Sequence, residues 1–151
     1  MKLQLGVIDM PHPEGGTTYS VAQELEKTYK VFSVFADKNA QFMADAIAVD
    51  ISNRFTARLR KERTGKAFAA ANDQITDRFK QFISNSEMEK LGIRGVPTKA
   101  ALDGTTLRTK NNRTIRKHTE GNKYLRVEGI RRPSFIYSGL FQSNLKCWVE
   151  D

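Results

Sequence analysis

Apolar positions along the chain change period twice. At the start, Leu3, Leu5 and Val7 alternate with other residues as in a strand, and the alternation stops at Pro11, Pro13, Gly15 and Gly16. Alternation this short predicts a strand and turn, or an extended arm over 1–16. From residue 17 to 92 the period becomes that of a helix. Ser20 and Gln23 have capping-box spacing, and Val21, Leu25, Tyr29 and Phe32 follow along one face. Asp37 is a good N-cap residue for a second helix over 37–64, with Met43, Ile47, Ile51, Phe55 and Leu59 four apart and Ala46, Ala48 and Ala57 keeping it thin. That helix would be about 40 Å long, enough to project towards a partner.

Gly65 breaks the pattern before a third helix over 66–84, whose apolar face is Phe68, Ile75, Phe79, Phe82 and Ile83. Ser86 and Glu89 have capping-box spacing again, and Gly92 ends a short helix. Beyond it Gly95, Pro97, Gly104, Asn111-Asn112, Gly121-Asn122, Gly129 and Pro133 punctuate the chain as turns do. The spacing predicts a hairpin of 106–110 with 113–117 across Asn111-Asn112, and a strand over 124–130 where Leu125 and Val127 alternate with Arg126 and Glu128. The closing stretch, 131–149, holds the only Trp and the only Cys together with Phe135, Tyr137 and Phe141. An end this apolar must dock on the chain's own core or on another subunit.

The pattern predicts an α+β fold, mainly α, with long amphipathic helices first and a small, partly β, basic C-terminal part. At 151 residues it fits a single domain over 1–151. Its parts are an arm (1–16), a helical part (17–92), a basic loop and hairpin region (93–132) and an apolar docking segment (133–151).

Charge sharpens this picture. Between Arg108 and Arg132 stand nine cations (Arg108, Lys110, Arg113, Arg116, Lys117, Lys123, Arg126, Arg131 and Arg132) against Glu120 and Glu128, so seven of the formal net +8 sit in one segment. Such a patch meets a nucleic acid or an acidic protein face, or is a solvated loop. A second cluster, Arg54, Arg58, Arg60, Lys61, Arg63 and Lys66, closes the long helix, where cations complement the helix dipole. One Cys excludes an intramolecular disulfide. With no signal peptide and no apolar run near 18 residues, the expectation is a soluble chain made in a reducing cytoplasm, without membrane contact.

Catalytic signatures are missing. His12 lies between two prolines and His118 among cations, so neither begins a metal site. Cys147 has no adjacent base and reads as core. Asp45 with Asp50, and Asp73 with Asp77, are weak carboxylate pairs, the second on a solvent face. A phosphate-binding loop ending at Gly65-Lys66 would need glycine at position 60, which is Arg60, and Gly-x-Ser-x-Gly is absent. The expectation is therefore no enzyme, no cofactor and no metal. Cations with Tyr124, Phe135, Tyr137 and Phe141 would suit a single-strand nucleic-acid platform, although no zinc-finger, RNP or helix-turn-helix signature is present.

Arg132-Pro133-Ser134-Phe135-Ile136, Ser138-Gly139-Leu140-Phe141-Gln142 and Trp148-Val149 resemble the close of a family of structural proteins in the virions of long-tailed bacteriophages. Val96-Pro97-Thr98-Lys99-Ala100-Ala101-Leu102-Asp103-Gly104 is similar to a second block of that family, and Val21-Ala22-Gln23-Glu24-Leu25-Glu26 agrees in type. More loosely, Ser138-Gly139-x-Phe141-x-x-Asn144 resembles a Thr-Gly-x-Leu-x-x-Ser block of phage tail-completion and neck proteins, with Phe141 for Leu and Asn144 for Ser.

The resemblance implies a virion subunit at the neck, head-tail connection or tail completion, made in the host bacterial cytoplasm. It would assemble into a symmetric homo-oligomeric ring and touch other virion structural proteins; the basic patch, read from charge alone, would face either DNA, in a non-specific contact, or an acidic protein surface. The expected assembly interface is Pro133, Phe135, Ile136, Tyr137, Phe141, Leu145 and Trp148, because large aromatics dominate interface energies. A basic nucleic-acid-binding protein is the alternative.

Overall fold

A computed structural model describes residues 2–12, 15–102, 117–118, 124–125, 131–136 and 139–150. In chain order the elements are β1 (Lys2–Val7), α1 (Thr18–Tyr29), α2 (Val31–Lys38), α3 (Ala40–Leu59), α4 (Ala69–Ser84), a 3-10 turn (Glu87–Leu91), α5 (Lys99–Leu102), β2 (Lys117–His118), β3 (Tyr124–Leu125), α6 (Leu140–Ser143) and β4 (Leu145–Glu150). The class is α+β and mainly α, as the periodicity predicts.

The first residues are a strand rather than an arm. β1 pairs antiparallel with β4 from Lys2↔Glu150 to Val7↔Leu145, so the two ends of the chain form one sheet. Residues opposite one another share a face. Leu3 with Val149, Leu5 with Cys147 and Val7 with Leu145 therefore make one apolar face, and Leu145 and Cys147 are buried against the helices. The Cys147 amide fixes the sheet to α4 by donating to Thr76 Oγ1 at 2.9 Å.

Several helix ends differ from those predicted. α1 starts at Thr18, where the helical period begins, but its capping box is Thr17 with Ser20 rather than Ser20 with Gln23: Ser20 N donates to Thr17 Oγ1 at 3.3 Å and Thr17 N to Ser20 Oγ at 3.1 Å. Val21, Leu25, Tyr29 and Phe32 do pack on the core, but the chain breaks between them at Lys30, which has φ 56°. The break is tolerated because the Glu26 carboxylate accepts Phe32 N at 2.8 Å and Ser33 N at 3.4 Å. Those N–H groups open α2 and would otherwise lack partners.

The helix predicted over 37–64 starts at Ala40 and ends at Leu59. Buried Asn39 interrupts it, donating through Nδ2 to Phe35 O at 2.9 Å. Arg60 and Lys61 then turn the chain, and α4 begins at Ala69 rather than 66, after Phe68 N is held by Asp50 Oδ2 at 3.1 Å. The core lies among α2, α4 and β4. Phe35 stacks on Phe79 at 4.3 Å, and Phe82 meets Phe35 edge-on.

In the basic third, Lys117 pairs antiparallel with Leu125 and His118 with Tyr124. Residues 106–116 of the predicted hairpin and 126–130 of the predicted strand lie outside the described residues. No capping box forms at Ser86, which has φ 52° and no side-chain cap bond. Glu89, its expected partner, is engaged elsewhere.

Candidate functional site

The closing stretch is fastened to the helical body at two levels. Glu89 supplies the first. Its Oε1 accepts Ser134 N at 3.2 Å and Ser134 Oγ at 2.9 Å, and its Oε2 pairs with Arg131 Nη2 at 2.9 Å. Burial pushes the Glu89 carboxyl up, but the Ser134 bonds and the Arg131 guanidinium outweigh it and hold the group below the usual carboxylate range.

Buried Ser134 also accepts Thr98 N at 3.2 Å, and Arg132 N donates to Ala101 O at 3.2 Å. The two blocks that carry the phage resemblance, 96–104 and 132–149, are thus in contact through their described residues. Sequence spacing shows Glu89 only as a helix-capping residue; nothing in its vicinity marks it as the anchor of a segment about forty residues later.

The second level is apolar. Phe141 and Leu145 are buried in the chain's own core, with Phe141 edge-on to Phe32 at 6.4 Å. Of the expected assembly residues these two have no surface to offer a neighbour. Phe135 packs on Tyr29 with ring centroids 5.1 Å apart, and Ile136 leans on the same core. Pro133 is half-buried. Trp148 lies across Gly6, where an added Cβ would come within 2.7 Å of its ring. Tyr137 lies outside the described residues.

Of the basic patch, Arg131 is paired with Glu89, and Arg132 donates through its guanidinium to the carbonyl of Ile136. Both cations serve the fold. Arg108, Lys110, Arg113, Arg116, Lys123 and Arg126 lie outside the described residues, as does the Lys117 side chain.

A different surface is open. The predicted stripe of α3 starts in the core at Met43 and leaves it: Ile51 is 47% exposed, Phe55 64% and Leu59 69%. Each four-residue step overshoots one helical turn by about 40°, so five members drift about 160° around the helix. Regular spacing of four is therefore what carries the stripe out of the core. Arg58, Arg60, Lys61, Arg63 and Lys66 are exposed beside it, and none of them forms an ion pair among the described residues.

Groups that could do chemistry are occupied or isolated. Burial pushes the Cys147 thiol up to about 11, which leaves almost no thiolate near neutrality. Arg78 and Glu87 form a two-pronged ion pair at 2.6 and 2.7 Å, which raises the guanidinium and lowers the carboxyl. Asp73 and Asp77 are exposed on α4, and Asp50 is bonded to Phe68 N. Among the described residues no group of three or more His, Cys, Asp or Glu stands where a metal ion could be held, and no helix is long and apolar enough to cross a membrane.

No family model, no curated protein and no solved structure matches the chain.

Proposed function

We propose that the chain is a non-enzymatic structural subunit of a tailed-phage virion, placed at the neck, head-tail connection or tail completion and assembling into a symmetric ring. The observation that carries this reading is the meeting of the two resembling blocks. Thr98 and Ala101 of one hold Ser134 and Arg132 of the other, and Glu89 holds Ser134 from the helical body. Residues set aside for holding two segments together are what an assembly scaffold needs. A catalytic block would instead bring a nucleophile or base to an open pocket. Ring subunits meet head to tail through unlike faces, and closure by rotation ends the series.

Exposed cations at the end of α3 support the second reading, a nucleic-acid-binding protein. A salt titration separates the two, because phosphate contacts weaken linearly in log affinity with log salt. The subunit reading expects ring-sized mass in solution or on a phage particle, and density for the chain at the head-tail junction by electron microscopy. Tight, steeply salt-dependent DNA binding by a chain with no place in the particle would overturn it.

A further inference from the structure

The outer face of α3 carries Ala40, Ala44, Ala48, Ile51, Phe55 and Leu59, all exposed. Their successive spacings, four, four, three, four and four, read the same in both directions. Size does not: the first three are alanines and the last three are large. Laid antiparallel about a two-fold axis between Val49 and Asp50, two copies place Ala40 opposite Leu59, Ala44 opposite Phe55 and Ala48 opposite Ile51. Every layer then joins a small residue to a large one, the arrangement that interdigitated helices require. A parallel pair would set Phe55 on Phe55 and Ala44 on Ala44, crowding one end and leaving voids at the other.

Charge selects the same arrangement. From Arg54 to Lys66 there are six cations and one carboxylate, Glu62. A parallel pair would bring both cationic ends together. The antiparallel pair separates the two Arg58 residues by about 25 Å along the axis, roughly three Debye lengths at physiological salt. Each cationic end then lies towards the half of the partner's α3 that carries the exposed carboxylate of Asp45. The helix dipoles also oppose one another favourably.

We propose that α3 is an isologous dimer interface, with a second copy of this chain as its occupant in an antiparallel helix pair. The inference needs nothing from the virion reading. The test is sedimentation of the full chain from about 1 to 500 μM, since a contact through one helix face belongs to the smaller and weaker class of interfaces. Mass rises from one chain to two. Phe55→Glu raises Kd more than about tenfold, with an unchanged circular dichroism spectrum because the side chain is exposed.

Ala44→Phe alone weakens the dimer, and A44F combined with F55A restores Kd to within about threefold, since those positions face each other only in the antiparallel register. Monomer at every concentration overturns the proposal. So does self-association that Phe55→Glu leaves intact, or a swap variant no tighter than A44F. Loss of DNA binding with no change in mass would assign the face to nucleic acid instead and overturn it equally.

Discussion

At Gly6 the missing side chain is a packing requirement, because a Cβ there would lie 2.7 Å from Cη2 of Trp148. The half-buried indole would have to shift as a whole to admit it. Gly6→Ala is expected to cost about 1–3 kcal/mol. Urea unfolding followed by the fluorescence of this sole tryptophan checks it, and an unchanged midpoint would show that the sheet yields. Cys147 gives a second measurement at this scale. Its thiol, raised by burial from 9.0 to about 11, is bound to a proton in the folded chain where the unfolded chain would lose it. The associated stability is full below pH 9 and declines as pH rises towards 11. At pH 8 a thiol reagent should label the native protein only at the rate of opening, and label it promptly in urea.

Elements were legible where periodicity alone decides and illegible where a distant side chain does. The spacing of Val21, Leu25, Tyr29 and Phe32 identifies the buried face correctly, but nothing in it announces the break at Lys30. That break depends on Glu26, an ordinary helix-surface residue by sequence, whose carboxylate caps the next helix from six and seven residues back. Glu26→Gln removes the charge from that cap and should cost about 1–2 kcal/mol, seen as a Tm lowered by roughly 2–8 °C. A Tm equal to that of the parent would mean that solvent caps α2 equally well. The stripe of α3, uniform in sequence, is not uniform in the fold. It joins a core at Met43 to a surface at Phe55, because steps of four rotate steadily away from any fixed neighbour.

At the scale of the whole molecule, the closing stretch was recognisable as something that docks, but its partner was not. Alternation at Leu3, Leu5 and Val7 suits an arm as well as a strand. Only the antiparallel register with Leu145, Cys147 and Val149 distinguishes them, and that is a contact across nearly the full chain. The expected interface at Phe141 and Leu145 dissolved for the same reason: the apolar content that marks a subunit contact equally marks a core.

What holds the stretch is divided between the buried sheet and one carboxylate, and the two parts respond differently to acid. Glu89 sits below its ordinary 4.5 in the folded chain, so its contribution is full above that pH and is lost as pH falls through the lowered value. The ring contacts of Phe141 and the packing of Leu145 carry no such dependence. Glu89→Gln should therefore cost about 1–3 kcal/mol at pH 7 through the weakened Ser134 and Arg131 bonds. Arg131 contributes the smaller share, being 63% exposed and screened. The difference between variant and parent should shrink as pH falls through the lowered value of Glu89, where the parent's own carboxylate takes up its proton. Thermal melts of both chains from pH 3 to 7 measure it directly, and a gap that stays constant with pH would show that Glu89 acts by packing and not by charge.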